Sequence, residues 1–107
     1  MTLDQLRRRI DELDERLVEL LNERASCALR IGEIKQRLGL DIYQPDRESQ
    51  VLGHVREHGR AIKGPLSPAA LTRLFERIID EARRLERESA QTPGHGTPPR
   101  TDTASED

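Results

Sequence analysis

LDQLRRRIDELDERLVELLNERASCALRIGEIKQRL, residues 3–38, holds no proline and a single glycine, Gly32. Its apolar residues fall in steps of three and four: Leu3, Leu6, Ile10, Leu13, Leu17 and Leu20. The rhythm continues through Arg24, Cys27, Ile31, Ile34 and Leu38. That period belongs to a helix whose seam packs on another helix. Thr2 is placed to cap it, and Asp4 sits near the positive end of the dipole. Unbroken, the helix would be roughly 50 Å long at ~1.5 Å per residue. A compact domain of this size is only ~26 Å across, taking twice a radius of gyration of ~13 Å. The rest of the chain is too short to wrap such a helix. The expected fold is therefore all-α, an intertwined helical dimer in which a second copy covers the seam.

Arg24 breaks the rhythm. It occupies a position where Leu or Ile is called for, and burying an unpaired guanidinium costs several kcal/mol. Lys35 follows eleven residues later, close to three full turns, on nearly the same face and about 16 Å away. Both side chains can snorkel to water or pair with glutamates. The alternative is an anion pocket inside a helix bundle, where such folds often place their sites.

The 107 residues suit one domain at most, with a modest core in a lone copy. Charged residues at 36% and aromatics at 2% suit a helical bundle and not a β-sandwich. A net charge of -2 argues against nucleic acid or an anionic membrane as partner. No apolar run reaches membrane length, and the N-terminus carries no signal-peptide core. Cys27, on the seam, reads as a small buried hydrophobe in a reducing compartment, so the cytoplasm is the expected location.

Beyond the long helix, Gly39 is the expected terminator and Leu40 to Gln44 a connector. Pro45 suits the first turn of a second helix, with Asp46 and Glu48 favouring its dipole. That helix is expected to run to about His58, with Val51, Leu52 and Val55 inward and Gly59 closing it. His54 and His58 have i, i+4 spacing, but no carboxylate or cysteine completes a ligand set, so no metal is expected. A third helix starts at Ser67 as N-cap and Pro68 at N1, with Leu66 placed to staple onto Leu71. Its inward face reads Leu71, Leu74, Phe75, Ile78, Ile79, Ala82 and Leu85. Glu86 belongs near that apolar face. Residues 1–90 form the expected helical domain, and 91–107 a polar, disordered tail.

Arg7, Arg24, Lys35, the run Asp46-Arg47-Glu48 and the pattern Leu74-Phe75-x-x-Ile78-Ile79, in that order on three helices, resemble the all-helical chorismate mutase family in a stand-alone form. The likeness covers Leu3 to about Glu88. It implies three helices per chain, a homodimer with two equivalent sites, and the pericyclic rearrangement of chorismate to prephenate in aromatic amino-acid biosynthesis. Such a reaction needs no cofactor, nucleophile or general base. The protein has only to hold a dicarboxylate in a compressed, chair-like shape and stabilise charge building on the breaking ether oxygen.

Carried over by position, the resemblance makes Arg7 and Arg24 clamps for substrate carboxylates. Lys35 would donate to the ether oxygen and a carboxylate, Arg47 would stand at the mouth, and Glu48 would accept from the ring hydroxyl. Arg7 and Arg24 lie about 25 Å apart along one helix, so Arg7 should come from the partner protomer. Three positions depart from the commonest bacterial pattern. Gln44 replaces an Asp used mainly through its backbone N–H. Ala82 replaces a Ser and removes one hydrogen bond, worth ~1 kcal/mol. Glu86 stands where many members carry Gln. An ether oxygen only accepts, so Glu86 must be protonated to do that work, and turnover should rise as the pH falls below neutral. Two other readings compete: an isochorismate–pyruvate lyase of the same fold, and a non-catalytic helical dimerisation module.

Overall fold

A computed structural model describes residues 1–91. It contains three helices in chain order: α1 (Leu3–Leu38), α2 (Pro45–Ile62) and α3 (Pro68–Gln91). Each boundary has a local cause. Thr2 and Gln5 form a reciprocal capping box at the start of α1, each side chain bonded to the other's backbone N–H. Gly39 ends α1 in the left-handed region at φ 69°, where a residue without Cβ is unstrained. Pro45 opens α2, and the Ser67 hydroxyl accepts from the N–H of Ala70 at 3.0 Å to start α3.

α2 is one turn longer than the sequence suggested. Gly59 does not terminate it but is buried inside it, and the helix runs on to Ile62. Lys63 takes the left-handed cap instead, at φ 56°. The reason for glycine at 59 is packing. A Cβ there would come within 2.6 Å of Leu71 Cδ1, so the missing side chain lets α2 lie close against α3. α3 ends at Gln91, the residue at which the polar tail was expected to begin. The remainder of the expected tail, 92–107, lies outside the described residues.

α3 is the element on which the others meet. α1 runs parallel to it, with Leu21 and Ala25 facing Ile78 and Ala82, and Gly32 facing Glu86. α2 runs antiparallel to it, Gly59 against Leu71 at one end and Glu48 against Arg83 at the other. α1 and α2 do not pack on one another. The result is open: the radius of gyration is 17.2 Å, against the ~13 Å of a compact chain of this length.

The α1 seam is two-faced. Its packed residue against α3 is Ala28, which is buried, whereas Cys27 is exposed. The expectation of a buried Cys27 was one residue, or ~100° of helix, away from the contact. Leu3, Leu6, Ile10, Leu13, Leu17 and Leu20 are each between 38% and 61% exposed. Among the described residues only Ala28 and Ile79 are buried apolar side chains. On α3, Leu74 also departs from its expected inward position and is exposed. No helix among the described residues is long and apolar enough to cross a membrane.

Candidate active site

The C-terminal half of α1, the connector, the start of α2 and the end of α3 enclose a cleft of about 270 Å³. Seven of the residues singled out from the sequence line it: Arg24, Lys35, Gln44, Arg47, Glu48, Ala82 and Glu86. Helical spacing explains the convergence. Arg24, Ala28, Ile31 and Lys35 lie at steps of three and four, so one face of α1 supplies the cations and the apolar floor between them. Ile79, Ala82 and Glu86 do the same from α3, and Val51 closes the α2 side.

Arg7 stands apart. It lies on the exposed first turns of α1, seventeen residues before Arg24, and does not line this cleft.

Glu86 is the one charged residue buried among the described residues. Its Oε1 accepts from Lys35 Nζ at 3.1 Å, and the same ammonium donates to the carbonyl of Ile42 at 2.9 Å. Lys35 is therefore fixed from two directions, by α3 and by the connector. Gly32 gives Glu86 room, since a Cβ at that position would sit 3.0 Å from Glu86 Cγ and 3.3 Å from its Cβ, tighter than an ordinary contact. Replacing Gly32 by Ala should raise the helix propensity of α1 by ~1 kcal/mol, yet push Glu86 and its lysine out of place. The expected result is a melting temperature within a few degrees of wild type and turnover lowered roughly tenfold, read from paired melting and rate measurements.

Glu48 is held by a residue that the sequence did not mark. Arg83 donates from Nε to Oε2 at 3.1 Å and from Nη2 to Oε1 at 3.0 Å, a bidentate fork between α3 and α2. Its Nη2 also donates to Asp80 at 3.2 Å, and its guanidinium lies over the Tyr43 ring, 5.0 Å from the centroid. In the sequence, Asp80 and Arg83 look like an ordinary i, i+3 pair on a solvated face. The only hint of more is that Arg83 falls between Ala82 and Glu86, both near the apolar stripe. Gln44, at the N-cap of α2, turns its side-chain amide back to the carbonyl of Asp41 at 2.9 Å, which steadies the connector.

The charges of the cleft can then be assigned. Four cations line it (Arg24, Lys35, Arg47 and Arg83) and two carboxylates, Glu48 and Glu86. Each carboxylate is paired with one cation, Glu86 with Lys35 and Glu48 with Arg83. Arg24 and Arg47 make no ion pair with any of the described residues. Arg24 is half-buried and Arg47 is exposed, so of the two Arg24 is the charge with less water around it. Two uncompensated positive charges over an apolar floor suit a small molecule with two anionic groups.

Residues 6–87 match the profile of the family described as chorismate mutase type II. The chain belongs to that family. Among the curated relatives it matches is a bifunctional chorismate mutase/prephenate dehydratase of Pseudomonas aeruginosa, 43% identical over 89 residues. That match takes in 78% of this chain and 24% of the relative. A 4-amino-4-deoxychorismate mutase of Streptomyces pristinaespiralis is 36% identical over 96 residues, covering 90% of this chain and 73% of the relative. A chorismate mutase of Methanocaldococcus jannaschii is 38% identical over 55 residues, which is 51% of this chain and 56% of the relative. The chain thus spans about a quarter of the length of the bifunctional relatives it matches.

The stacked pair His54 and His58, with ring centroids 6.2 Å apart, lies on the far part of α2. No group of three metal-binding side chains occurs among the described residues.

Proposed function

We propose that this chain rearranges chorismate to prephenate. The observation that carries the reading is the pair of uncompensated cations, Arg24 and Arg47, in a cleft whose other charges are already matched. Chorismate has two carboxylates, and fixing both holds its two reacting arms together, so that binding energy offsets the entropic cost of ordering them for reaction. Lys35 Nζ donates to the ether oxygen as that bond breaks and negative charge collects there. Glu48 accepts from the ring hydroxyl.

The active unit in this proposal is a homodimer. The exposed leucines and isoleucine of α1 are the surface a second copy covers, and Arg7 of that copy completes the carboxylate clamp. A reducing cytoplasm suits the single, unpaired Cys27.

Glu86 has a distinct part. It faces Lys35 and Arg24 from α1, and Arg47 and Glu48 from α2, across the same cleft. When substrate takes over the Lys35 ammonium, Glu86 can contribute a hydrogen bond to the ether oxygen only with a proton on it. A glutamine at this position carries its own donor, so Glu86→Gln should turn over chorismate faster than wild type. Loss of chorismate absorbance, with the product identified, tests both points. Prephenate formed at equal rates by the two proteins would remove the role of Glu86 and keep the enzyme. No turnover of chorismate by the wild type would remove the activity itself.

A further inference from the structure

We propose that Arg83 is a positioning residue: its guanidinium fork fixes Glu48 in the orientation from which that carboxylate accepts the substrate's ring hydroxyl. The inference rests on the proposed contact between Glu48 and substrate and assigns the group that makes the contact effective.

A glutamate in the first turn of a helix has three rotatable side-chain bonds and, unheld, samples several rotamers. Arg83 bonds both of its oxygens, at 3.0 and 3.1 Å, and two parallel bonds remove rotation about the last torsion, which one point charge would not do. Arg83 is itself held. Asp80 accepts from the same Nη2 at 3.2 Å, and the Tyr43 ring lies against the guanidinium. Both members of the pair are about three-quarters buried, at 23% and 24% exposure, so the geometry is shielded from competition by water. Each carboxylate oxygen has two acceptor directions and the fork uses one of each, leaving Glu48 able to accept from a ligand. An arm already ordered before binding costs the ligand no ordering entropy.

The fork also settles the charge. Without Arg83, Glu48 would be a bare anion facing an incoming dianion, so its loss removes both orientation and compensation. Arg83→Lys keeps the compensation and abandons the fork, which separates the two contributions.

The test measures KM and kcat for Arg83→Met, Arg83→Lys, Glu48→Met and the double variant Arg83→Met/Glu48→Met, with melting curves for each. Methionine at 48 keeps the length of the side chain and has no oxygen to accept the hydroxyl. A contact made equally in ground and transition states appears in KM, so Arg83→Met and Glu48→Met should each raise KM about tenfold with kcat within about threefold. The double variant should be no worse than either single one, because both remove the same contact. Arg83→Lys should fall between wild type and Arg83→Met, and it carries the test if Arg83→Met does not fold. A merely structural role would lower the active fraction, and so kcat, at unchanged KM. That result, or additive effects in the double variant, would overturn the inference. An unchanged KM in Glu48→Met would take Glu48 away from the substrate and this role from Arg83 with it, while wild-type turnover of chorismate stands as the separate test of the activity.

Discussion

Replacing Lys35 by Met should reduce turnover by about 10³-fold, the scale of losing a preorganised donor to a developing oxyanion. It should also weaken the fold. Lys35 and Glu86 are 15% and 9% exposed, and removing the cation leaves a buried carboxylate with no counterion, at a cost of about 3 kcal/mol. For a chain of this length that corresponds to a fall in melting temperature of roughly 15 °C. The lysine's second bond, to the Ile42 carbonyl, is lost as well, so the connector between α1 and α2 loosens. The double variant Lys35→Met/Glu86→Gln should recover most of the stability and none of the activity. Thermal melts and rates measured on the same preparations check this, and full activity in Lys35→Met would remove the lysine from the chemistry.

Arg24 should behave in the opposite way. It is as central to the cleft as Lys35, yet it has no ion pair among the described residues, so removing it strands no partner. Arg24→Leu replaces a half-buried, uncompensated charge with the residue type that the helical seam calls for. Stability should hold or rise by about 1 kcal/mol, while turnover falls by about 10³-fold through loss of a carboxylate clamp. Urea unfolding beside steady-state rates gives both numbers. A variant that is stable and fully active would mean that no substrate carboxylate binds there. A wild type with no turnover and an Arg24→Leu more stable than it would instead favour a non-catalytic helical module.

Local chemistry made much of this legible in the sequence. The three-and-four step of residues 3–38, the Thr2 cap, Gly39, Pro45 and the Ser67-Pro68 start all act within one turn of where they stand, and α1 and the start of α3 follow from them. The end of α2 was not legible, because a glycine reads alike whether it ends a helix or admits a neighbour. Gly59 is the second kind, and its neighbour Leu71 is twelve residues on. The same applies to Ala28, whose burial depends on how α1 is rotated against α3. In the cleft, Arg24, Lys35 and Glu86 were conspicuous as charges on apolar faces. Arg83 was not, since a charge beside Asp80 looks solvated until α2 brings Glu48 across, thirty-five residues away in the chain.

That α1 and α2 meet only through α3 has a consequence for how the molecule is made. The chain leaves the ribosome N-terminus first, so α1 and α2 are complete while the helix that joins them is still being synthesised. Until residues 68–91 emerge, Lys35 has no carboxylate, Glu48 has no guanidinium, and Gly59 lies against nothing. The two early helices can be locally ordered at that stage, but nothing in them fixes their mutual geometry. Among the described residues, the packing that fixes the cleft therefore arrives with α3, after translation of α1 and α2 is over.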